Sequence, residues 1–329
     1  MTLRVGVVGA GGISPTHGGG WQALGAEIGV YSLEHAPRFA ERHGATEYAS
    51  LEELLGNVDI VDVITPTPAH VEIAKAALAA GKDVVCEKPM ARNLADAREL
   101  VALAEQHGRK LYPAHVVRWF PQYAAAKAAV EAGELGQLAV MRFNRAGQMP
   151  RTPWFFDDEA SGGIIMDQML HDLDQAVWIG GPVATVYATE TRGEPGAEGG
   201  LGDTRVGLVT MTHRNGAISL CRGIWGAPGL PFWYSFQVAG TTGLLRYDSR
   251  HETGFQLTRA SSAAEDDGSY LPSVTSFDPY AAEIADFAAA FAGGPEPRVT
   301  MHDGVEAVKI AEAALESLRT GRTVTVEEN

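Results

Sequence analysis

The chain has 329 residues, 45% of them hydrophobic and 20% charged, a profile that fits about two globular domains with real cores. Its 41 acidic residues against 26 basic ones leave a net charge of −15, which repels a phosphate backbone and argues against nucleic-acid binding. No apolar run approaches the roughly 20 residues that span a bilayer, so no membrane partner is expected.

Two cysteines, Cys86 and Cys221, are too few for a disulfide framework and lack zinc-ligand spacing. The N-terminus runs from Met1 straight into strand-like sequence with no basic region or cleavage site. Together these predict a reducing, cytoplasmic setting.

The first third alternates short β-rich runs with helical patterns. Leu3 to Val8, Ile28 to Ser32, Asp59 to Ile64, Asp83 to Cys86 and Lys110 to Ala114 read as strands buried in a parallel sheet. Between them, Ser50 and Glu53 form a capping box. Val71, Ala74 and Leu78 give a helical stripe that stops at Gly81. Asn93 caps a helix ending at Gly108. This alternation predicts an α/β fold, a doubly wound dinucleotide-binding domain over residues 1–118.

Beyond Arg118 the rhythm changes. A helix near 121–132, a strand near 137–145, an aromatic loop at Pro153 to Phe156 and a helix over 163–179 precede strands near 182–192, 204–213, 217–225, 231–239 and 243–247. Asn215-Gly216 is a type I′ hairpin signal between two of these strands. Residues 260–270 read as a flexible loop, and helices near 279–292 and 303–319 close the chain. An α+β domain with an open, mostly antiparallel sheet is predicted over residues 119–329. Both faces of that sheet look apolar, so one of them is expected to meet another subunit.

The chemistry-bearing motifs begin at Gly9-Ala10-Gly11-Gly12-Ile13-Ser14, where the dinucleotide fingerprint follows a strand and ends in Ser14 instead of Ala or Gly. Gly18-Gly19-Gly20 should then weaken the following helix by about 1 kcal/mol per glycine. The second strand ends in Ser32 where a ribose-binding acid is usual. Ser32 leaves room for a 2′-phosphate that Arg38 would pair with, whereas Glu34 would favour a free hydroxyl, so both NAD and NADP stay open.

Glu87-Lys88-Pro89 ends a strand where a doubly wound sheet opens onto its ligand, which suits Lys88 to a substrate oxygen; a surface lysine paired to Glu87 is the alternative. In the helix predicted from 163, Asp167, His171 and Asp174 share a face, so a carboxylate lies one turn from an imidazole that can act as general acid or base. A solvated polar face, or a metal site on the same stripe, are the alternatives there.

These pieces in this order resemble the Gfo/Idh/MocA oxidoreductase family: GAGGIS at 9–14, TPTPAH at 65–70, AALAAGKDVVCEKP at 76–89 and GGIIMDQMLHDLD at 162–174. The resemblance implies a Rossmann domain, a C-terminal α+β domain whose sheet builds a homodimer or homotetramer, a nicotinamide cofactor, and a sugar or polyol substrate. By position it makes Lys88, Asp167 and His171 catalytic. The glycine motif puts Gly9, Gly11, Gly12, Ile13 and Ser14 at the cofactor and the end of the second strand adds Ser32 and Arg38; the resemblance adds Thr65, Pro66, His70, Glu87 and Lys88, and sets His115, Arg118 and Trp154 beside Asp167 and His171 at the substrate. It names no metal. The expected activity is hydride transfer between the nicotinamide and a secondary alcohol or ketone. The rival readings are an NAD(P)-binding sensor without turnover, and an enzyme that uses the cofactor transiently for sugar elimination or hydrolysis.

Overall fold

Val5, Val7, Val30, Val61, Val63, Val84 and Val85 are all inaccessible to solvent, as strands covered on both faces require. In the computed structural model, which describes residues 2–193, 204–251 and 277–327, these strands make a six-stranded parallel sheet. Its elements are β1 (Arg4–Val8), α1 (Ser14–Ala23), β2 (Glu27–Tyr31), α2 (Ala36–His43), β3 (Thr46–Glu47), α3 (Leu51–Asn57), β4 (Ile60–Val63), α4 (His70–Ala79), β5 (Asp83–Glu87), α5 (Leu94–His107) and β6 (Leu111–Ala114). The order β3-β2-β1-β4-β5-β6 reverses between β1 and β4, the switch point where doubly wound sheets open a crevice at their carboxyl ends. Pro113 lies in β6, an edge strand, where its missing N–H leaves no gap in the ladder.

Local signals act much as the sequence indicates. Ser50 Oγ accepts from Glu53 N–H at 3.1 Å, but the Glu53 carboxylate reaches past Ser50 to the amide of Ala49 at 2.9 Å. Asn93 Oδ1 accepts from Asp96 N–H, and Gly108 closes α5 in the left-handed region at φ 59°. The glycine run of α1 also finds a reason. A Cβ on Gly18 would stand 2.8 Å from Phe39 and 2.9 Å from His43, and one on Gly20 would stand 3.1 Å from Ile284. Two of the three glycines therefore let neighbouring helices pack close, which offsets their low helix propensity. Gly19 faces open space and nothing in the structure explains it.

The later elements are α6 (Pro121–Glu131), β7 (Leu138–Gln148), α7 (Asp158–Ser161), α8 (Gly163–Met166), α9 (Leu170–Gly180), β8 (Val183–Arg192), β9 (Arg205–His213), β10 (Ile218–Gly226), β11 (Trp233–Gly240), β12 (Leu244–Asp248), α10 (Pro279–Phe291), α11 (Met301–Thr320) and β13 (Val324–Thr325). Seven strands pair in the order β12-β11-β7-β10-β9-β8-β13. Only β7 and β10 run parallel, so the sheet is mixed and mostly antiparallel. The expected loop at 260–270 lies outside the described residues.

The Asn215-Gly216 hairpin forms with a different turn. Only Gly216 has a positive φ, 88°, and His213 N–H donates to Ala217 O across a three-residue loop. A type I′ turn would need Asn215 in the left-handed region as well.

Packing divides the described residues into two units. One holds the chain through Trp119 together with the later stretch up to Val308, and the other holds Phe120 onward and the chain from Lys309. The sequence predicts one break at 118/119, which places α10 in the second domain, whereas Ile284, Phe287 and Ala288 of α10 enter the core formed by Val5, Val7, Trp21 and Val30. A linear reading of domains cannot see a returning helix of this kind.

Candidate active site

In the first unit, β1 runs into Gly9, whose φ of 105° suits only glycine. A Cβ there would stand 2.8 Å from Ile64 O, so glycine also lets β1 and β4 end side by side at the switch point. Gly11 and Gly12 are exposed, and a Cβ on Gly11 would meet no atom within 4 Å. Ile13 precedes the helix, and Ser14, buried, donates its hydroxyl to Gly11 O at 2.7 Å. The serine that departs from the fingerprint thus clasps the glycine loop from within.

An open approach over Gly11, ahead of a helix N-terminus, fits the pyrophosphate of a dinucleotide. A second observation agrees. Thr65 Oγ1, just past β4, is buried without a hydrogen-bond partner among the described residues, as a polar atom facing a ligand would be. Pro66 beside it is exposed. Ser32 follows β2 directly and is half-buried, while Arg38 on α2 is exposed.

His70 is buried, with Nδ1 2.9 Å from Pro89 O and Nε2 2.7 Å from Thr65 O. Burial lowers its pKa, so the neutral ring donates to one of these carbonyls at a time. It ties the segment after β4 to the segment after Lys88. Lys88 and Glu87 are half-buried at the carboxyl end of β5. His115 is buried just past β6. Arg118 is buried too, and its guanidinium donates to Asp303 Oδ1 at 3.0 Å and to Arg298 O at 3.1 Å, while Arg298 donates back to Arg118 O at 2.9 Å.

Sequence reasoning missed a buried array beneath Lys88. His17 of α1 places Nδ1 2.9 Å from Asp62 Oδ2 and Nε2 3.3 Å from Glu87 Oε1. Trp21, one turn along α1, donates to Asp62 Oδ2 at 2.7 Å. Glu87 Oε2 accepts from the Lys88 amide at 2.9 Å. Burial works against a charge on His17, yet Asp62 and Glu87 push its pKa well above the ordinary imidazole value. Burial likewise works against ionised Glu87, and His17 followed by Lys88 holds its pKa below the usual carboxylate range. Glu283 of α10 is fully buried, both of its oxygens lack a partner among the described residues, and burial pushes its pKa well up. The available signal was Asp62 in the otherwise apolar run Ile60–Val63, a charge that a buried strand must pair.

In the second unit, the helix expected from 163 to 179 is broken. α8 ends at Met166, residues 167–169 form a turn in which Met169 N–H reaches back five residues to Ile164 O at 2.8 Å, and α9 starts at Leu170. The shared helical face of Asp167, His171 and Asp174 is therefore corrected, because Asp167 lies outside α9. The cause is Met169. Its side chain occupies the space above Gly207 and Gly223, which pair across β9 and β10, and a Cβ on either would come within 2.6 Å of it. Drawing Met169 into the sheet widens the turn.

From Ser161 to Ala176 every residue is buried except Asp167 and His171. The residue after His171 anchors the helix. Asp172 is fully buried and accepts from Arg145 Nε and Nη2, both at 3.1 Å, with Tyr123 Oη at 3.5 Å. Burial pushes the Asp172 carboxyl up, and the guanidinium opposes it. Trp154 is half-buried and stacks on Phe155 with ring centroids 3.9 Å apart, and Phe155 meets the buried Trp225 edge-on.

Known proteins match this arrangement. Residues 3–115 fit the oxidoreductase family with an NAD-binding Rossmann fold, and residues 123–246 fit the Gfo/Idh/MocA C-terminal domain. The chain is 28% identical to a myo-inositol 2-dehydrogenase of Thermotoga maritima over 99% of both chains. It is 30% identical to a 1,5-anhydro-D-fructose reductase of Ensifer adhaerens over 90% of this chain and 89% of the relative. The solved structure of GenD2 from gentamicin A biosynthesis in complex with NAD superposes with a TM-score of 0.83, at 26% identity over 99% of this chain and 97% of that one. With both of its domains matched, and with a dinucleotide cradle at the switch point of its parallel sheet, this chain belongs to the Gfo/Idh/MocA family of nicotinamide-dependent oxidoreductases.

Proposed function

We propose that this oxidoreductase acts on a secondary alcohol or ketone of a sugar, polyol or sugar derivative. The single observation that carries the assignment of roles is that Asp167 and His171 alone are half-buried in an otherwise fully buried stretch, Ser161 to Ala176. A packing helix has no use for an imidazole and a carboxylate left reachable in this way. The names of the Thermotoga and Ensifer relatives support the substrate class.

When bound, the nicotinamide exchanges a hydride with the carbinol carbon. The chain's own residues handle the proton. His171 takes it from the hydroxyl in oxidation and returns it in reduction, with Asp167 orienting the imidazole. Lys88 stabilises negative charge developing on the same oxygen. Gly9, Gly11, Gly12, Ile13 and Ser14 hold the dinucleotide, with Thr65 Oγ1, Pro66, Ser32, Arg38 and Glu87 beside it. His70 contributes by fixing the segments that carry Thr65 and Pro89. Trp154 and His115 bound the substrate. Arg118 bounds it too, its guanidinium held by Asp303 Oδ1 and Arg298 O.

The free, buried thiols of Cys86 and Cys221 support a cytoplasmic setting, and among the described residues no helix is long and apolar enough to cross a membrane. One face of the second sheet supports a homodimer or homotetramer. Leu208, 48% exposed, Leu220, 38% exposed, Ile218 and Tyr187 share it by strand register. A second copy covering these side chains would remove a large apolar patch from water. Light scattering on Leu208→Glu/Leu220→Glu should show the assembly dissociating.

The activity is tested by nicotinamide absorbance with NAD+ and NADP+ over a panel of sugars and inositols. Wild-type protein should reduce one of the two cofactors. Lys88→Met should abolish turnover while changing cofactor affinity by no more than a few fold. Silence across the panel with tight cofactor binding would turn the reading toward a sensor or a transient-redox enzyme.

A further inference from the structure

The array of Asp62, His17, Glu87 and Glu283 takes no part in the proton chemistry above, yet it ends at Lys88. Both ring nitrogens of His17 face carboxylates, which only accept hydrogen bonds when ionised. The ring therefore donates from both positions and carries a positive charge. Asp62 takes a second donor from Trp21, and Glu87 divides its oxygens between His17 and the Lys88 amide.

Along Asp62, His17, Glu87 and Lys88 the charges alternate in sign. Such a chain is tolerable inside a protein because each buried charge has an opposite neighbour. The groups facing it come from every packed element: Trp21 on α1, Asp62 on β4, His70 on α4, Cys86, Glu87 and Lys88 on β5 and the segment after it, and Glu283 and Asp286 on α10. Among the described residues Glu283 has no hydrogen-bond partner, and burial pushes its carboxyl well up, toward the protonated form.

We propose that His17 is a positioning residue for the reaction, keeping the Glu87 carboxylate ionised and turned to the Lys88 amide so that Lys88 stands in one orientation at the carboxyl end of β5. The proposal rests on the reading of Lys88 given above. Its physical content is that a side chain of the cofactor-binding helix sets the geometry of the lysine through one intervening carboxylate. A histidine that merely filled the core would serve the fold equally well without its charge.

The test compares the pH dependence of kcat in wild type, His17→Gln, Glu87→Gln and the double variant, with Lys88→Met alongside. Glutamine keeps hydrogen-bonding capacity at position 17 and removes the charge. Without that cation Glu87 takes up a proton more readily, so the acid limb of the His17→Gln profile should move to higher pH. Turnover at neutral pH should fall about tenfold or more, while reduced-cofactor affinity stays within about threefold. Glu87→Gln should lack that limb, and adding His17→Gln to it should change the profile no further.

A His17→Gln profile coincident with wild type would overturn the proposal, whatever the loss in rate. Wild-type turnover in Lys88→Met would overturn both this inference and the role of Lys88, whereas a dead Lys88→Met beside an unmoved His17→Gln profile would remove His17 alone. If His17→Gln does not fold, 15N-histidine spectra of the wild-type enzyme decide. One imidazole should stay doubly protonated at about pH 8, where an ordinary histidine is neutral, and the absence of any such ring would overturn the inference.

Discussion

Gly207 and Gly223 stand opposite each other on β9 and β10, and the side chain of Met169 fills the space that their missing Cβ atoms leave. A Cβ at position 223 would lie 2.4 Å from Met169 Cγ, so the pair of glycines fixes the wide turn that carries Asp167. Gly223→Ala should therefore destabilise the protein by about 1–3 kcal/mol, the range for overpacking a close-packed site. Turnover should fall as well, through displacement of Asp167. Met169→Ala in the same chain should recover part of the stability, giving clear non-additivity in urea unfolding. Additive losses would show that Met169 does not shape the turn.

Gly9 and Gly11 lie two residues apart and should respond differently to the same substitution. Gly9→Ala puts a side chain at φ 105° and 2.8 Å from Ile64 O, so it should lower the thermal midpoint as well as cofactor affinity. Gly11→Ala meets nothing in the protein and should leave the midpoint close to wild type. Its methyl group projects where a pyrophosphate would approach, so reduced-cofactor binding should weaken by tenfold or more, about 1.4 kcal/mol. Fluorescence titration beside thermal unfolding separates the two.

The Arg145–Asp172 pair sits wholly inside the second unit. Removing one partner strands a buried charge, so Asp172→Asn or Arg145→Met should cost about 3–5 kcal/mol in urea unfolding. Replacing both residues with apolar side chains of similar volume should recover much of that loss. Equal losses in the single and double variants would mean that the pair acts through shape rather than charge.

Glu283 gives the pH dependence of stability a definite sign. Its folded pKa is raised by burial, so between the unfolded carboxyl pKa and that raised value the folded protein holds a proton which the unfolded chain has lost. Stability should be fully present below the unfolded pKa and fall as pH rises through the window, by at most about 1.4 kcal/mol per pH unit from this one group. Glu283→Gln should flatten that slope and be the more stable form at neutral pH. A steeper decline in the variant would overturn the protonated assignment.

Much of this protein was legible in the chain. The strand runs 3–8, 59–64 and 83–86 each lie within about a residue of β1, β4 and β5, because buried parallel strands must be continuously apolar. The glycine loop and the EKP segment were legible for a related reason, since a tight turn and the end of a strand both leave local marks. The turn at 167–169 was not legible. Its helical pattern is intact, and the force that breaks it comes from glycines about 40 and 55 residues downstream.

The sequence by itself determined the order of the elements and the glycine turn after β1, because periodicity, capping and turn chemistry act over a few residues. Tertiary structure alone decided that α10 returns to the first core and that Arg118 is bound to Asp303. It also joined His17 to Asp62 and Glu87, 45 and 70 residues away. Those outcomes depend on which buried charges find partners, and a charge in a single sequence does not carry the address of its counterion.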